Sequence, residues 1–164
     1  MSVEPRIGPA GVADAGEILT VQRAAYLTEA QQYTDPFLPP LSETLDEVRA
    51  VLTGPTTVLA ARLGHRLVGS VRAHLDGRTA HIGRLAVAPD QQGRGIGGRL
   101  LAAIEAACPA EVDLFTLFTG ADSTGNLRLY QRRGYRVVTH RPGRDGISLA
   151  VLEKPVVSSA RLGP

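Results

Sequence analysis

The chain has 164 residues, 43% of them hydrophobic and 21% charged, which is one ordinary domain with enough apolar material for a core without metal or disulfide staples. No apolar run reaches the length of a membrane span, and one cysteine, Cys108, excludes both an internal disulfide and a cysteine-based zinc site. A balance of 18 basic and 16 acidic residues leaves a net charge of +2, too even to argue for nucleic acid.

His65, His74, His81 and His140 are scattered without metal-ligand spacing, so no metal site is expected. The opening MSVEPRIGPAG lacks a basic start followed by an apolar block, so no secretory signal is expected, and the expected setting is the cytoplasm. Lys154 is the only lysine; arginine forks suit phosphate oxygens, but genome composition explains the same bias.

In chain order, Pro5 to Pro9 reads as a short first strand. Asp14 precedes a helix over Ala15 to Tyr26, where Ile18, Leu19, Val21, Ala25 and Tyr26 recur at roughly helical spacing. Tyr33 to Pro40 holds Pro36, Pro39 and Pro40 and reads as a loop. Ser42 opens a second helix, with Ser42 and Thr44 as candidate caps, Leu45, Val48, Val51 and Leu52 as its apolar face, and Gly54-Pro55 as its stop. The period then changes. Thr57 to Arg62 and Arg66 to Leu75 are β-rich runs joined by a hairpin at Leu63-Gly64-His65. Asp76-Gly77 is a strong turn signal leading into a strand over Thr79 to Val87, so three successive strands are antiparallel neighbours. Arg99 to Ala107 has a helical apolar face in Leu100, Leu101, Ile104 and Ala107 and stops at Pro109. Val112 to Thr119 is a strand, Asn126 to Arg133 a helix ended by Gly134, and Tyr135 to His140 and Gly146 to Glu153 the last strands. The order β-α-α-β-β-β-α-β-α-β-β is an α/β chain with a mixed, mostly antiparallel sheet of about six or seven strands and about four helices. Residues 1–154 are expected to form a single domain, and 155–164, which carry two prolines and small polar residues, a loose tail.

The most informative stretch runs from Leu85 to Leu101, where a strand leads into Gly93, Gly95, Gly97 and Gly98 and a helix follows at once. Glycines allow positive φ and close approach to a ligand, and a helix start offers free N–H groups and a positive dipole end. Together they cradle a pyrophosphate. Gly93, Gly95 and Gly98 match the dinucleotide fingerprint G-x-G-x-x-G. In that motif, however, the strand enters the first glycine directly, whereas Pro89-Asp90-Gln91-Gln92 intervene here, and the strand belongs to an antiparallel meander. Glu111 and Asp113 open the next strand instead of closing it, and no Gly-Lys-Ser/Thr makes a P-loop.

The same residues fit Q/R-x-x-G-x-G/A at Gln92-Gly93-Arg94-Gly95-Ile96-Gly97, and here the chain resembles the GCN5-related N-acetyltransferase (GNAT) family. Leu85-Ala86-Val87-Ala88-Pro89 resembles the end of that family's fourth strand. Asn126 to Tyr135 is similar to its second motif, N-x-x-x-Y-x-x-x-G-F/Y, with Tyr130 and Gly134 in place. The resemblance covers roughly residues 5 to 154. It implies an acetyl-CoA-dependent N-acetyltransferase acting by direct amine attack in a ternary complex. It also implies that the fourth and fifth strands splay and the pantetheine arm of coenzyme A lies between them. The backbone of Leu85, Ala86 and Val87 would hold the arm, and Gln92, Gly93, Arg94, Gly95, Ile96, Gly97 and Gly98 the pyrophosphate. Asn126 would help with the arm, and Arg133 would meet a phosphate.

By the same resemblance Tyr130 is the general acid that meets the departing thiolate. Asn126 and Tyr130 are i and i+4 and share a helix face. The family often places a glutamate on the fourth strand as base; His81 occupies that place here, and an unperturbed imidazole is the side chain type suited to exchange a proton near neutral pH. His81, Gly83, Leu85 and Val87 are expected to alternate onto one face. Acceptor specificity is implied for Tyr26 to Leu41 and His140 to Gly146, with Tyr26, Tyr33 and Phe37 as candidate pocket walls. No dense acidic cluster marks a polyamine site, Glu29, Asp35, Glu43, Asp46 and Glu47 being the nearest candidates. The expected partner is thus a small-molecule or peptide amine, with no nucleic acid or membrane, and a homodimer is a further expectation from the resemblance. The other classes open to this sequence are a non-catalytic acyl-CoA-binding regulator and a dinucleotide-binding enzyme.

Overall fold

The computed structural model describes residues 4–156; most of the expected tail lies outside them. A seven-stranded sheet is built in the order β1-β2-β3-β4-β5-β7-β6. Its strands are β1 Arg6–Pro9, β2 Thr57–Leu63, β3 Arg66–Asp76, β4 Thr79–Val87, β5 Leu114–Gly120, β6 Arg136–Pro142 and β7 Ser148–Pro155. All neighbours are antiparallel except β4 and β5. The helices are α1 Ala15–Tyr33, α2 Pro39–Ser42, α3 Leu45–Thr53, α4 Ile96–Ala107 and α5 Thr124–Arg132. This is the expected α/β order with one added turn of helix. Among the described residues no helix is long and apolar enough to cross a membrane.

Several boundaries differ from the sequence reading, among them α4, which starts at Ile96 and not Arg99, and α5, which starts at Thr124 and not Asn126; the largest differences have local reasons. Helix α1 continues past Tyr26 to Tyr33, because Leu27 to Gln32 contains neither proline nor glycine; Thr34, with φ 51°, closes it in the left-handed region. Within the proline-rich stretch Pro39 opens the short α2, where its fixed φ suits a first helical position. Helix α3 then starts behind Thr44 in a capping box: Glu47 N donates to Thr44 Oγ1 at 3.1 Å and Thr44 N to Glu47 Oε1 at 3.0 Å.

The core lies between the sheet and its helices. Ile96, Leu100, Leu101 and Ile104 of α4 are buried, and α4 packs on β2, β3 and β4. Gly69 shows which face that is: a Cβ there would come within 2.9 Å of Leu100 Cδ1. Arg72, three residues on, points to the opposite face and binds Glu43 ahead of α3. Helix α1 packs on β3 and β4 from that second face, burying Ile18, Leu19 and Gln22.

Strands β4 and β5 position the site. They pair only at Thr79–Leu114, Ala80–Phe115 and His81–Thr116. Beyond that β4 follows β3 while β5 stays with β7 to Gly120, so the sheet opens into a V. Within β4 the register slips between Ser70–Ala86 and Arg72–Gly83, which sets Arg84 and Leu85 against Val71 alone. That is a β-bulge, and Arg84 holds the left-handed turn at φ 51°.

The bulge corrects one expectation. Paired residues share a face, so His81 and Gly83 lie with His74 and Arg72 on the α1 side. Val87 pairs with Gly69 and lies on the α4 side. The single alternation expected from His81 to Val87 is broken by the extra residue.

Candidate active site

The mouth of the V is a glycine loop entering a helix. Gly93 and Gly95 have φ of 79° and 83°, and Gly95 is the N-cap of α4. A Cβ at either would meet nothing within 4 Å, so glycine is required there by conformation alone. The loop is tied twice at its entry. Asp90 makes a two-point pair with Arg66, at 2.7 and 2.6 Å, which holds its carboxyl well below the usual carboxylate range; Gln92 Nε2 donates to Val87 O at 3.0 Å. Arg94 is exposed within the loop, and Ile96 plugs into the core beneath it. Gly97 faces Leu129 and Val87. At Gly98 the first turn of α4 carries the Arg133 guanidinium, whose Nε would lie 2.8 Å from an added Cβ. The loop amides, the helix start and Arg133 thus form one cationic corner that fits a pyrophosphate.

Helix α1 straps the V from the opposite side. Tyr26 Oη donates to Leu85 O at 3.1 Å, which joins α1 to the β4 bulge. One turn on, Glu29 Oε1 accepts from Asn126 Nδ2 at 2.5 Å, which joins α1 to α5. Asn126 Nδ2 also reaches Thr119 Oγ1 on β5, at 3.2 Å. At the end of α1, Tyr33 Oη lies 2.8 Å from Ser123 Oγ and Gln32 Nε2 donates to Asp122 O at 2.9 Å. Gly120 is glycine because the Tyr33 ring packs where its Cβ would be.

Tyr130 lies inside this frame, 8% exposed, its ring 6.2 Å edge-on from Tyr135. Burial raises its phenol above the ordinary range, and Tyr26 and Glu29 raise it further. Burial likewise raises Tyr26, with a contribution from Glu29. Glu29 is itself raised by burial, against the hydrogen bonds from Ser123 and Asn126 that lower it. The arrangement holds the Tyr130 phenol neutral beside a carboxyl with increased proton affinity, while the Tyr26 O–H is given to Leu85 O.

The structure therefore brings Tyr26, Tyr33, Asn126 and Tyr130 together around the V. His81 sits further back, where β4 still pairs with β5; its ring is half exposed and 6.3 Å from that of His74. It borders two hollows of about 430 and 230 Å³. Phe37 is 64% exposed on the loop before α2. That loop is pinned by buried Asp35, which accepts from Phe37 N at 2.9 Å and faces Arg144 Nε at 3.5 Å, so the two expected acceptor segments meet.

In the sequence Glu29 and Glu43 stand only among scattered acids, and Arg72 and Arg84 do not stand out. Glu29 follows Tyr26 by three residues and precedes Tyr33 by four, a stripe that only a helix running to Tyr33 reveals. Glu43 and Arg72 are joined by long-range contacts with no local signal.

A family model described as Acetyltransferase (GNAT) family matches residues 23–135. A mycothiol acetyltransferase of Clavibacter sepedonicus is 36% identical over 93 residues, covering 56% of this chain and 31% of that protein. The chain thus spans about a third of the length of that relative. Among solved structures, the ribosomal-protein-S18-alanine N-acetyltransferase of Escherichia coli has a TM-score of 0.76 at 16% identity, covering 94% of this chain and 96% of the other. The PaiA N-acetyltransferase of Thermoplasma acidophilum, in complex with coenzyme A, has a TM-score of 0.72 at 18% identity, covering 95% and 100%. A GNAT family acetyltransferase of Elizabethkingia anophelis, with acetyl-CoA bound, has a TM-score of 0.65 at 20% identity, covering 94% and 100%.

Proposed function

The chain belongs to the GNAT acetyltransferase family, and we infer that it is an N-acetyltransferase that moves the acetyl group of acetyl-CoA to an amine by direct attack. The observation that carries this reading is the V between β4 and β5, with the glycine cradle at its mouth and Asn126 and Tyr130 on its α5 side. When bound, acetyl-CoA supplies the acetyl carbon whose C–S bond breaks as the acceptor nitrogen bonds to it. The amides from Gln92 to Gly98 and the Arg133 guanidinium hold the pyrophosphate. The backbone of Leu85, Ala86 and Val87, with Asn126, holds the arm. Tyr130 Oη donates to sulfur as negative charge builds there. Tyr26 and Tyr33 wall the acceptor side beneath α1, and Phe37 lies at its rim.

An acceptor ammonium must lose a proton before it attacks. Glu29 is assigned this role ahead of His81, because it is a carboxyl of raised proton affinity in the same cluster as Tyr130. His81 is the second candidate, on the α1 face at the closed end of the V.

Saturating acetyl-CoA is expected to raise the melting temperature by several degrees, since a ligand at about 100 times its Kd adds roughly 2.7 kcal/mol. NAD and NADP are expected to leave it unchanged; a rise with either alone would overturn the reading. Gly95→Ala tests the cradle. The left-handed φ of 83° costs an alanine roughly 1–2 kcal/mol, with no steric clash to confuse the result. The loop relieves that strain by moving, so acetyl-CoA affinity measured by calorimetry should fall about tenfold.

A further inference from the structure

Arg84 combines strain with unmet bonding capacity. It holds the β4 bulge at φ 51°, where a non-glycine residue is uncommon. Its side chain is 26% exposed, and its buried Nε has no hydrogen-bond partner among the described residues. The nearest acid is Glu43, whose Oε1 stands 3.7 Å from that Nε, beyond hydrogen-bond range.

Glu43 is already committed. Arg72 holds both its oxygens, Nη1 to Oε2 at 2.9 Å and Nη2 to Oε1 at 2.7 Å, and Gln22 Nε2 donates to Oε1 at 3.0 Å. One carboxylate thus serves two guanidinium groups, and the surplus positive charge falls on Arg84. Arg72 and Arg84 line a cleft of about 230 Å³ with His74, His81, Gly83 and Phe118. No acidic side chain lines it among the described residues; Asp76, 4.0 Å from His81 Nε2, is 82% exposed and stands outside. The cleft adjoins the V, since Arg84 precedes Leu85, whose carbonyl accepts from Tyr26.

We propose that the acceptor amine carries a carboxylate and that Arg84, exposed to this cleft at the bulge, grips it. The substrate class is an amino acid or a small amino-acid derivative with its acid group free. This rests on the acetyltransferase reading and narrows it. A guanidinium fork matches a carboxylate in two-point geometry. A cationic cleft without acids rejects polyamines and other polycations, and the small volume suits one residue better than a long chain.

The test follows thiol release from acetyl-CoA with the free amino acids, their carboxamides, the matching decarboxylated amines and spermidine. Turnover should concentrate in amines bearing a carboxylate, with kcat/KM at least about tenfold above the amide of the same side chain. Arg84→Gln should raise the acceptor KM by about tenfold or more. It should leave the acetyl-CoA Kd unchanged, which also reports that the variant folds; Arg84→Lys should recover part of the loss. The comparison of acid with amide in the wild-type protein needs no variant. The proposal is overturned if amides or spermidine serve equally well, if Arg84→Gln leaves the acceptor KM alone, or if acetyl-CoA binds while no carboxylate-bearing amine is acetylated. Failure of acetyl-CoA to bind the wild-type protein would overturn the acetyltransferase reading instead and remove this proposal with it.

Discussion

Tyr130→Phe is expected to lower kcat by about 10²–10⁴-fold, the range for losing a positioned proton donor. The Kd for acetyl-CoA should stay the same, because the ring that packs against Tyr135 is kept and only Oη is removed. The phenol is nearly sealed, and burial together with Tyr26 and Glu29 holds its pKa above the ordinary range. A phenol in that state stays protonated throughout the working pH range and offers its O–H to a sulfur that gains charge as it leaves. The alkaline limb of the wild-type rate profile should therefore show no phenol titration. Single-turnover kinetics with calorimetry of acetyl-CoA binding separates the cases. Loss of rate with intact binding supports the donor role, and an unchanged rate overturns it. Loss of thermal stability without loss of rate would mean that the hydroxyl only supports the fold.

The order of strands and helices was legible because each element carries its own local signal. The cap at Thr44, the turn at Asp76-Gly77, the stop at Pro109 and the Gly134 that follows α5 lie within a few residues of the boundaries they set. The glycine loop before α4 was legible for the same reason, since positive φ at Gly93 and Gly95 is a demand on those residues alone. What escaped reading is non-local. The β4 bulge arises from register against β3, and the residue holding its left-handed turn is an arginine, which gives no local hint. It moves Val87 to the face opposite His81 and turns Arg84 into the cleft it lines with Arg72, His74 and Phe118. Glu29 stood among other acids in the sequence, and only contacts to Asn126, 97 positions away, select it. Long-range polar contacts of this kind decide which of several equivalent side chains is held at the V.

Glu29→Gln is the second large effect, and it should act on rate and stability in opposite directions. Burial is the largest influence on this carboxyl and raises its pKa; Ser123 and Asn126 only partly offset it. A carboxyl raised in the folded state binds its proton more tightly folded than unfolded. Its contribution to stability is fully present below the unfolded carboxylate pKa and is lost as pH rises through the raised value. Glutamine keeps an acceptor for Asn126 and carries no charge to desolvate. The variant should therefore melt higher than the wild type at neutral pH, and the gap should shrink towards about pH 4, where Glu29 is protonated. Melting curves across that range check the sign; a gap that is constant with pH would show that Glu29 is not a raised carboxyl. The rate should move the other way. Without a base beside Tyr130, kcat/KM should fall by about 10²-fold or more and the acidic limb of its pH profile should disappear. If that limb survives in Glu29→Gln and vanishes in His81→Ala, the base is His81, and the raised carboxyl of Glu29 serves only to fasten α1 across the V through Asn126.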